Sequence, residues 1–252
     1  MRIGLIGAGN MASALARGWG DPVLVSDADH ARAEALAQEL GGEAPGSNAY
    51  VADAADAVVL CHKPAQLAAV AEEIRGRVKA VVSILGGTPI RDVEAAYPGL
   101  PVYRFMPNIA AEVGQGVFCY APGTRAAAGP EREVLDQFGR IGTVIPTPEP
   151  LIDAATAIMG CGPAFFALVA EALVDAGVRH GLQPDAAATM AVETMAGTAA
   201  TLRAGGLDTL ALRRRVTSPG GSTARGLAAL ERGGVRAAFS DAVDAVAGTG
   251  RT

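Results

Sequence analysis

The glycines that follow the first apolar segment of this chain restrict its fold more than any other feature. An apolar run over residues 2–6 precedes Gly7-Ala8-Gly9-Asn10-Met11-Ala12, and a helical pattern then continues to residue 19. In a Gly-x-Gly-x-x-Ala turn the first glycine permits a tight bend and the second lets a pyrophosphate approach the backbone. The small third residue permits close packing of helix on strand. The segment therefore predicts a strand, turn and helix that bind a dinucleotide through Gly7, Gly9, Asn10 and Met11. A glycine-rich turn in an α/β fold that binds no nucleotide is the alternative.

Short apolar segments alternate with helical patterns through the first 148 residues. The predicted strands cover residues 2–6, 23–27, 57–61, 80–85, 102–106 and 116–121, with 142–145 as one more. The predicted helices cover residues 10–19, 29–40, 65–75, 90–97 and 130–139. Nearly continuous apolar strands separated by helices predict a Rossmann-type, mainly parallel sheet with helices on both faces.

The pattern changes at the proline-rich segment 146–150. We place the domain boundary there, between a dinucleotide-binding domain over 1–148 and an all-helical domain over 149–252. Two long helices, 163–180 and 184–204, are apolar on nearly every side and must therefore be buried. A domain of roughly a hundred residues has little interior in which to bury them. We therefore predict a homodimer formed through the helical domain, with a higher assembly of dimers left open.

Composition argues against several classes of partner. Half of the 252 residues are hydrophobic, 19% are charged and the net charge is −5, which favours a large core and offers no positive surface to nucleic acid. We find no apolar run long enough to span a bilayer, and the first residues do not resemble a signal peptide. The three cysteines have no metal-like spacing. We therefore expect a cytoplasmic protein with no membrane partner and no metal site.

A second glycine-containing segment, in the last third of the chain, predicts an anion site. Residues 218–223 read Ser-Pro-Gly-Gly-Ser-Thr and precede a helical pattern. Two glycines after a proline let backbone N–H groups point in one direction, and the helix that begins near Ser222 adds free N–H groups and its positive dipole end. Such a cradle suits a small carboxylate, and Thr223 places a hydroxyl beside it. From these residues alone, a proline turn with a Ser/Thr helix cap explains the segment equally well.

Five segments, taken in order, resemble the signature of the pyrroline-5-carboxylate reductase family. They are residues 7–11, 62–64, 104–108, 160–164 and 218–221, the last followed by Ala-Leu-Glu at 229–231. The resemblance covers essentially the whole chain. It implies NAD(P)H-dependent reduction of 1-pyrroline-5-carboxylate to L-proline by an intertwined dimer. It also implies that the substrate is held by Ser218, Gly220, Gly221, Ser222 and Thr223, with Thr223 as the catalytic group that bonds the ring nitrogen.

The carboxyl ends of two predicted strands carry charged residues that suit the cofactor. Asp27 ends the second strand, roughly 20 residues after Gly7, where a carboxylate accepts hydrogen bonds from a ribose 2′-hydroxyl and repels a 2′-phosphate. This favours NADH over NADPH, although Arg32 would soften the preference. Lys63 lies just past a central strand, the edge at which open sheets bind ligands, and would face the phosphates or a ribose.

Two asparagines complete the expected cofactor site through the resemblance. Asn48 matches a family asparagine near the adenosine, and Asn108 is placed to bond the nicotinamide carboxamide. From spacing alone, each is explained equally well as a turn residue. His62 stands where the family usually has an apolar residue, and we expect it to be peripheral.

Three other functions stay open at this point. The first is a reductase of a related cyclic imino acid such as piperideine carboxylate, because residues 208–215 and 84–87 depart from the family pattern and put the ring size in doubt. The second is a β-hydroxyacid dehydrogenase, whose chemistry normally uses a lysine on a long helix; the two long helices here contain none. The third is a nucleotide-binding protein without catalytic activity.

Overall fold

The computed structural model describes residues 1–248, which divide into two compact units. The first unit is Met1–Cys161, and the second begins at Gly162. The first unit therefore extends past the predicted boundary at 148/149: Ile152, Ala157 and Met159 are buried within it. The assignment of functional domains to 1–148 and 149–252 stays a prediction.

The first unit is built on one seven-stranded sheet of order β2-β1-β3-β4-β5-β6-β7. All neighbouring strands pair in parallel except β5 and β6, which pair antiparallel, so the prediction of a mainly parallel sheet is confirmed. The strands are β1 (Ile3–Ile6), β2 (Leu24–Ser26), β3 (Ala57–Leu60), β4 (Val81–Ser83), β5 (Val102–Pro107), β6 (Gly116–Pro122) and β7 (Gly142–Pro146).

Helices cover both faces of this sheet. They are α1 (Asn10–Trp19), α2 (His30–Leu40), α3 (Asn48–Ala54), α4 (Leu67–Ile74), α5 (Ile90–Ala96), α6 (Glu131–Gly139) and α7 (Ile152–Ala155). Adjacent residues of a strand point to opposite faces. Leu5 therefore belongs to one buried hydrophobic cluster and Ile6 to the other, and Val59 and Leu60 divide in the same way. Burial on both faces is why the strands from β1 to β6 are apolar at most positions.

The position of α1 depends on a close approach between backbones. A Cβ on Gly18, near the end of α1, would collide with the carbonyl oxygen of Ala111, which lies in the 3₁₀ helix Ile109–Val113. Glycine therefore lets α1 lie directly against that helix. The contact fixes the direction in which the amino end of α1 points.

The second unit is entirely helical. Its helices are α8 (Gly162–Arg179), α9 (Pro184–Ala204), α10 (Thr209–Arg215), α11 (Ser222–Arg232) and α12 (Val235–Ala247). The sequence predicted α8 and α9 closely, and the expected helix start near Ser222 matches α11. It did not predict α10 or α12, nor α3 and α7 in the first unit. Ser47 caps α3 by accepting from Tyr50 N at 3.3 Å, and Asp208 caps α10 by accepting from Ala211 N at 2.8 Å.

Helices α8 and α9 expose much of their apolar surface. Phe166, Leu168, Leu173, Met190 and Val192 are each between 54 and 64% exposed. The stretch Glu149–Arg179 is long and apolar enough to cross a membrane by length and composition alone. The expectation that no such run exists was therefore wrong, because α7, a single π-helical turn and α8 continue from one into the next. An apolar helix buried in a soluble assembly has the same composition.

Candidate active site

Seven of the eight predicted cofactor residues line one cavity of about 1190 Å³ in the first unit. The cavity lies where β1, β2 and β3 end and where α1 and α3 begin, which is the edge at which open α/β sheets bind ligands. The seven residues are Gly7, Gly9, Asn10, Met11, Asp27, Asn48 and Lys63.

The two glycines of the first turn are needed for different reasons. Gly7 has a φ of 110°, and a Cβ there would lie 2.6 Å from the carbonyl carbon of Cys61. The turn therefore requires glycine and packs against the end of β3. Gly9 has no positive φ, and a Cβ there would meet no protein atom within 4 Å. The open space over Gly9 faces the cavity and not a neighbouring element, as close approach of a ligand to the backbone requires.

The amino end of α1 provides the donors that a pyrophosphate needs. Gly9 is the N-cap, no side chain caps the helix, and the first turn contains no acidic residue. The first N–H groups of a helix have no intrahelical acceptor, and the positive end of the dipole lies beside them. The residues present therefore fit a dinucleotide phosphate at this position.

Asp27 anchors the glycine-rich turn as well as facing the cavity. One carboxylate oxygen accepts from Ala8 N at 2.6 Å and the other from Asp29 N at 2.8 Å. Each carboxylate oxygen can accept more than one hydrogen bond, so the group retains capacity for ribose hydroxyls. Arg32 and His30 line the same cavity. Between residues 27 and 32 the cavity wall therefore carries one carboxylate, that of Asp27, and two basic side chains, and Glu73 adds a second carboxylate from another part of the chain.

Asn48 and Lys63 both line the cavity, but Asn48 is held in place by hydrogen bonds and Lys63 is exposed. Asn48 begins α3 and is not a turn residue; its Oδ1 accepts from Ser26 Oγ at 2.6 Å and its Nδ2 donates to Glu73 Oε2 at 2.5 Å. These bonds fix the amide at the wall. Lys63 is exposed, and its ammonium pairs with no carboxylate in the part of the chain that the structure describes. The lysine is available to an anion.

His62 lines the cavity, although the sequence predicted a peripheral position. Its Nδ1 lies 2.9 Å from the carbonyl oxygen of Lys63, which can only accept, so Nδ1 carries the proton. Its Nε2 is buried without a hydrogen-bond partner. Burial lowers the pKa of His62 and raises that of the neighbouring thiol of Cys61. Both groups are therefore neutral at pH 7 and add no charge to the cavity.

Asn108 lies outside this cavity. It is buried, its Nδ2 donates to Met159 O at 3.0 Å, and its Oδ1 accepts from Val117 N at 3.1 Å. Met159 belongs to the π-helical turn Thr156–Gly160. The amide thus joins β6 to that turn, and a role at the nicotinamide carboxamide stays a prediction.

The predicted substrate segment forms a tight turn in the second unit. Gly221 N donates to Ser218 O at 3.1 Å, and Gly220 has a φ of 68°. A type II β-turn requires a positive φ at its third position and commonly has proline at its second. A Cβ on Gly221 would collide with Ser218 Oγ. Gly220 is therefore needed for its φ, whereas a side chain at Gly221 would require the Ser218 hydroxyl to move.

The helix that follows this turn begins without a side-chain cap. Its N-cap is Gly221, whose own N–H is used within the turn. The N–H groups of Ser222 and Thr223 donate to no other residue among positions 1–248, and both side chains are exposed. The arrangement offers backbone donors, a positive dipole end and the Thr223 hydroxyl to one small anion.

Known families match both parts of the chain. Residues 149–252 match the family described as pyrroline-5-carboxylate reductase dimerisation, and residues 2–87 match the family described as NADP oxidoreductase, coenzyme F420-dependent. Pyrroline-5-carboxylate reductase from Methanosarcina acetivorans is 36% identical over 96% of this chain and 94% of its own length. The enzyme of the same name from Mycobacterium tuberculosis H37Rv is 38% identical over 97% of this chain and 94% of its own length.

Solved structures agree with these relatives. Pyrroline-5-carboxylate reductase from Coxiella burnetii superposes with a TM-score of 0.88 at 28% identity, covering 98% of this chain and 96% of its own. Pyrroline carboxylate reductase from Plasmodium falciparum, solved with NADP bound, gives a TM-score of 0.85 at 28% identity, covering 99% of this chain and 96% of its own. The likeness therefore extends over both units.

The open space over Gly9 can be tested by filling it. We expect Gly9→Ala to leave the melting temperature within about 2 °C of the wild type, because the new methyl group meets no protein atom. We expect the dissociation constant for NADH, measured by its fluorescence, to rise by about tenfold or more, since a clash of roughly 1–3 kcal/mol corresponds to that factor. Gly139→Ala is the matched control, because a Cβ there also meets nothing within 4 Å and Gly139 does not line the cavity. Unchanged NADH affinity in Gly9→Ala would place the pyrophosphate elsewhere.

Proposed function

This chain belongs to the pyrroline-5-carboxylate reductase family, an NAD(P)-dependent oxidoreductase family, and we propose that it reduces 1-pyrroline-5-carboxylate to L-proline through the residues described above. The observation that supports this best is the uncapped start of α11 behind the Ser218–Gly221 turn, with the exposed hydroxyl of Thr223 beside it. A nucleotide cavity alone would suit many oxidoreductases. A backbone cradle for a small carboxylate narrows the substrate to a small carboxylic acid.

The reaction makes three demands on this chain. When bound, the dihydronicotinamide supplies a hydride to the imine carbon, and the electron pair of the C=N bond moves to the ring nitrogen. The nitrogen must carry a proton for this to be fast, since an iminium accepts hydride more readily than an imine. The substrate must also be held in one orientation. No nucleophile is required of the protein.

The substrate segment meets the second and third demands. The N–H groups of Ser222 and Thr223 hold the carboxylate, supported by the dipole of α11. The Thr223 hydroxyl bonds the ring nitrogen and stabilises or delivers its proton. Ser218 and the two glycines of the turn shape the cradle. In this arrangement the Gly221 N–H serves the turn and not the substrate, because it already donates to Ser218 O.

The role of Thr223 predicts a loss of turnover when its hydroxyl is removed. We expect Thr223→Ala to lower kcat by roughly ten- to a thousand-fold, the scale for one positioned polar group. Thr223→Ser keeps the hydroxyl and should stay within about tenfold of the wild type. The assay is NADH oxidation followed by its ultraviolet absorbance. Near-normal kcat in Thr223→Ala would remove the threonine from the mechanism.

The same assay decides between ring sizes, with 1-pyrroline-5-carboxylate and its six-membered piperideine homologue compared in parallel. Turnover only with the larger ring would keep the cradle but change the substrate. Binding of NADH without turnover on either ring would support a protein without catalytic activity. The absence of lysine from α8 and α9 disfavours a β-hydroxyacid dehydrogenase.

The cofactor is NADH or NADPH, and we propose that NADH is preferred. The carboxylate of Asp27 is fixed at the end of β2 by Ala8 N and Asp29 N, so it cannot turn away from a 2′-phosphate without losing two hydrogen bonds. Arg32 and His30 in the same cavity act in the opposite direction, because both can carry positive charge. The related Plasmodium falciparum structure has NADP bound, so the family resemblance does not decide between the two.

A charge-removing substitution tests this preference. We expect the wild type to have the larger kcat/KM with NADH, and Asp27→Ser to shift the NADH/NADPH ratio towards NADPH by about tenfold, the effect of roughly 1.4 kcal/mol. Arg32→Ser should shift the ratio in the opposite direction, which makes it the matched control. A larger kcat/KM with NADPH in the wild type, together with no shift in Asp27→Ser, would contradict the proposal.

We further propose a homodimer in which α8 and α9 are covered by a second copy. The match of residues 149–252 to a dimerisation family and the exposed apolar side chains of α8 and α9 support it. Burial of that surface in a second protein copy also explains its composition without a bilayer, which supports a cytoplasmic location.

The dimer is tested by mass. Analytical ultracentrifugation at low micromolar concentration should give twice the monomer mass of 25.4 kDa. Leu168→Asp places a charge on a residue that is 64% exposed in one copy, and we expect it to shift the protein towards monomer and aggregate, because burying an unpaired charge is costly. Arg132→Ala, at a side chain 91% exposed in the first unit, should leave the mass unchanged. A monomeric wild type would contradict the dimer.

A further inference from the structure

One arginine holds the peptide group at the exit of the substrate turn. Arg225 lies one turn into α11, and its Nη1 donates to the carbonyl oxygen of Gly220 at 2.8 Å. On the other side of that peptide, Gly221 N donates to Ser218 O at 3.1 Å. A trans peptide directs its N–H and C=O in opposite directions. The Gly220–Gly221 peptide is therefore fixed at both ends.

Within residues 218–223, this is the one peptide that joins two glycines, so side chains of its own residues do not restrict its rotation. Both of its residues are glycine, and Gly220 already has a φ of 68°, where a Cβ would meet no atom within 4 Å. Glycine pairs rotate at low cost and lose the most freedom when they are ordered. Without the bond to Arg225, only the turn bond to Ser218 would oppose this rotation. The peptide leads directly into the free N–H groups of Ser222 and Thr223.

We propose that Arg225 is a positioning residue for the carboxylate cradle: it fixes the Gly220 carbonyl on the far side of the turn so that the donors of the cradle are ordered before the substrate arrives. The proposal rests on the function proposed above for Ser218 to Thr223. Arg225 reaches the substrate only through the backbone, so the substitution is expected to act on substrate binding and to leave the Thr223 step intact. No segment that resembles the family includes Arg225.

The expected result is a separation of KM from kcat. Arg225→Ala should raise KM for 1-pyrroline-5-carboxylate by about 3- to 30-fold, less than the roughly 10- to 150-fold that a hydrogen bond to a charged group can contribute, because Arg225 is exposed and acts through the backbone. We expect kcat to stay within about threefold of the wild type. Arg225→Lys keeps a donor and should recover part of the loss. Arg232→Ala removes one exposed positive charge from the other end of the same helix and should leave KM unchanged.

Hydrogen exchange provides a readout that does not depend on turnover. In the free protein, the amide of Gly221 should exchange at least about fivefold faster in Arg225→Ala than in the wild type, because its peptide has lost one of two restraints. Arg232→Ala should leave this rate unchanged. Melting temperatures of the three variants control for a general loss of folding.

The outcomes separate the two proposals. A raised KM with faster exchange supports positioning by Arg225. A raised KM with unchanged exchange means that the guanidinium acts on the substrate directly through its charge, which overturns positioning, and an unchanged KM with active enzyme overturns it as well. A wild type that does not reduce 1-pyrroline-5-carboxylate refutes the proposed function. Exchange at Gly221 then still decides whether Arg225 orders the turn.

Discussion

The first unit depends on the absence of a side chain at Gly7. Its backbone lies against the carboxyl end of β3 at a distance that leaves no room for a Cβ, and its N–H donates to Ser26 O at the end of β2 at 2.7 Å. Three strand ends thus meet at one residue. The helix that follows starts beside them, and the contact of Gly18 with the 3₁₀ helix fixes its direction. The cavity lies where it does because these two glycines bring backbones together, and the polar side chains are arranged around that geometry.

The second unit depends on a different constraint, the large apolar surface that α8 and α9 leave exposed in one chain. Its two longest helices bury no large side chain within one chain: the buried residues are Gly162 of α8, and Ala187 and Ala191 of α9. A stable α-helical unit cannot leave such faces in water, because apolar area in water costs about 25 cal/mol per Å². In the proposed homodimer, a second copy would cover these faces, and we expect that burial to contribute to the stability of the unit. The same fact explains why the stretch Glu149–Arg179 resembles a membrane span by composition.

Elements with a clear hydrophobic periodicity or a diagnostic glycine could be predicted from the sequence. Short helices whose only signal is one capping residue could not. Every predicted strand of the sheet is present, because strands that are largely buried, as β1 to β6 are, have an apolar signal at most positions. The antiparallel pairing of β5 with β6 has no such signal, since it depends on where the chain turns after residue 107. Helices α3 and α10 are short, and their signals, Ser47 and Asp208, are single capping residues that also occur in turns.

The site shows the same division. Six of the seven residues that share the cavity follow from strand ends and the fingerprint, which are local features of the sequence, and Asn48 follows from the family resemblance. The hydrogen bonds of the Asn108 amide could not be predicted in this way, because its partners Met159 and Val117 are 51 and 9 residues away. Nor could the hydrogen bond between Arg225 and the Gly220 carbonyl, since an arginine one turn into a helix is usually solvated. A contact between a side chain and the backbone of a distant or strained segment leaves no pattern of residue types in the sequence.

Recognition of the carboxylate by backbone donors suits an iminium substrate for an electrostatic reason. The ring nitrogen must be positive when hydride arrives, and its carboxylate is only a few bonds away. A full cation in contact with that carboxylate would repel the iminium, since the energy of two charges falls only as the inverse of their distance. The effect of a helix dipole is confined to its first turn, so it holds the carboxylate with less opposition to the charge on the nitrogen.

In this chain the basic group bonded to the turn, Arg225, is exposed to solvent and contacts the carbonyl side of a peptide, where water screens its charge. The proposed site would therefore separate the two tasks: backbone N–H groups would bind the anion, and the positive charge that the reaction needs would stay on the substrate.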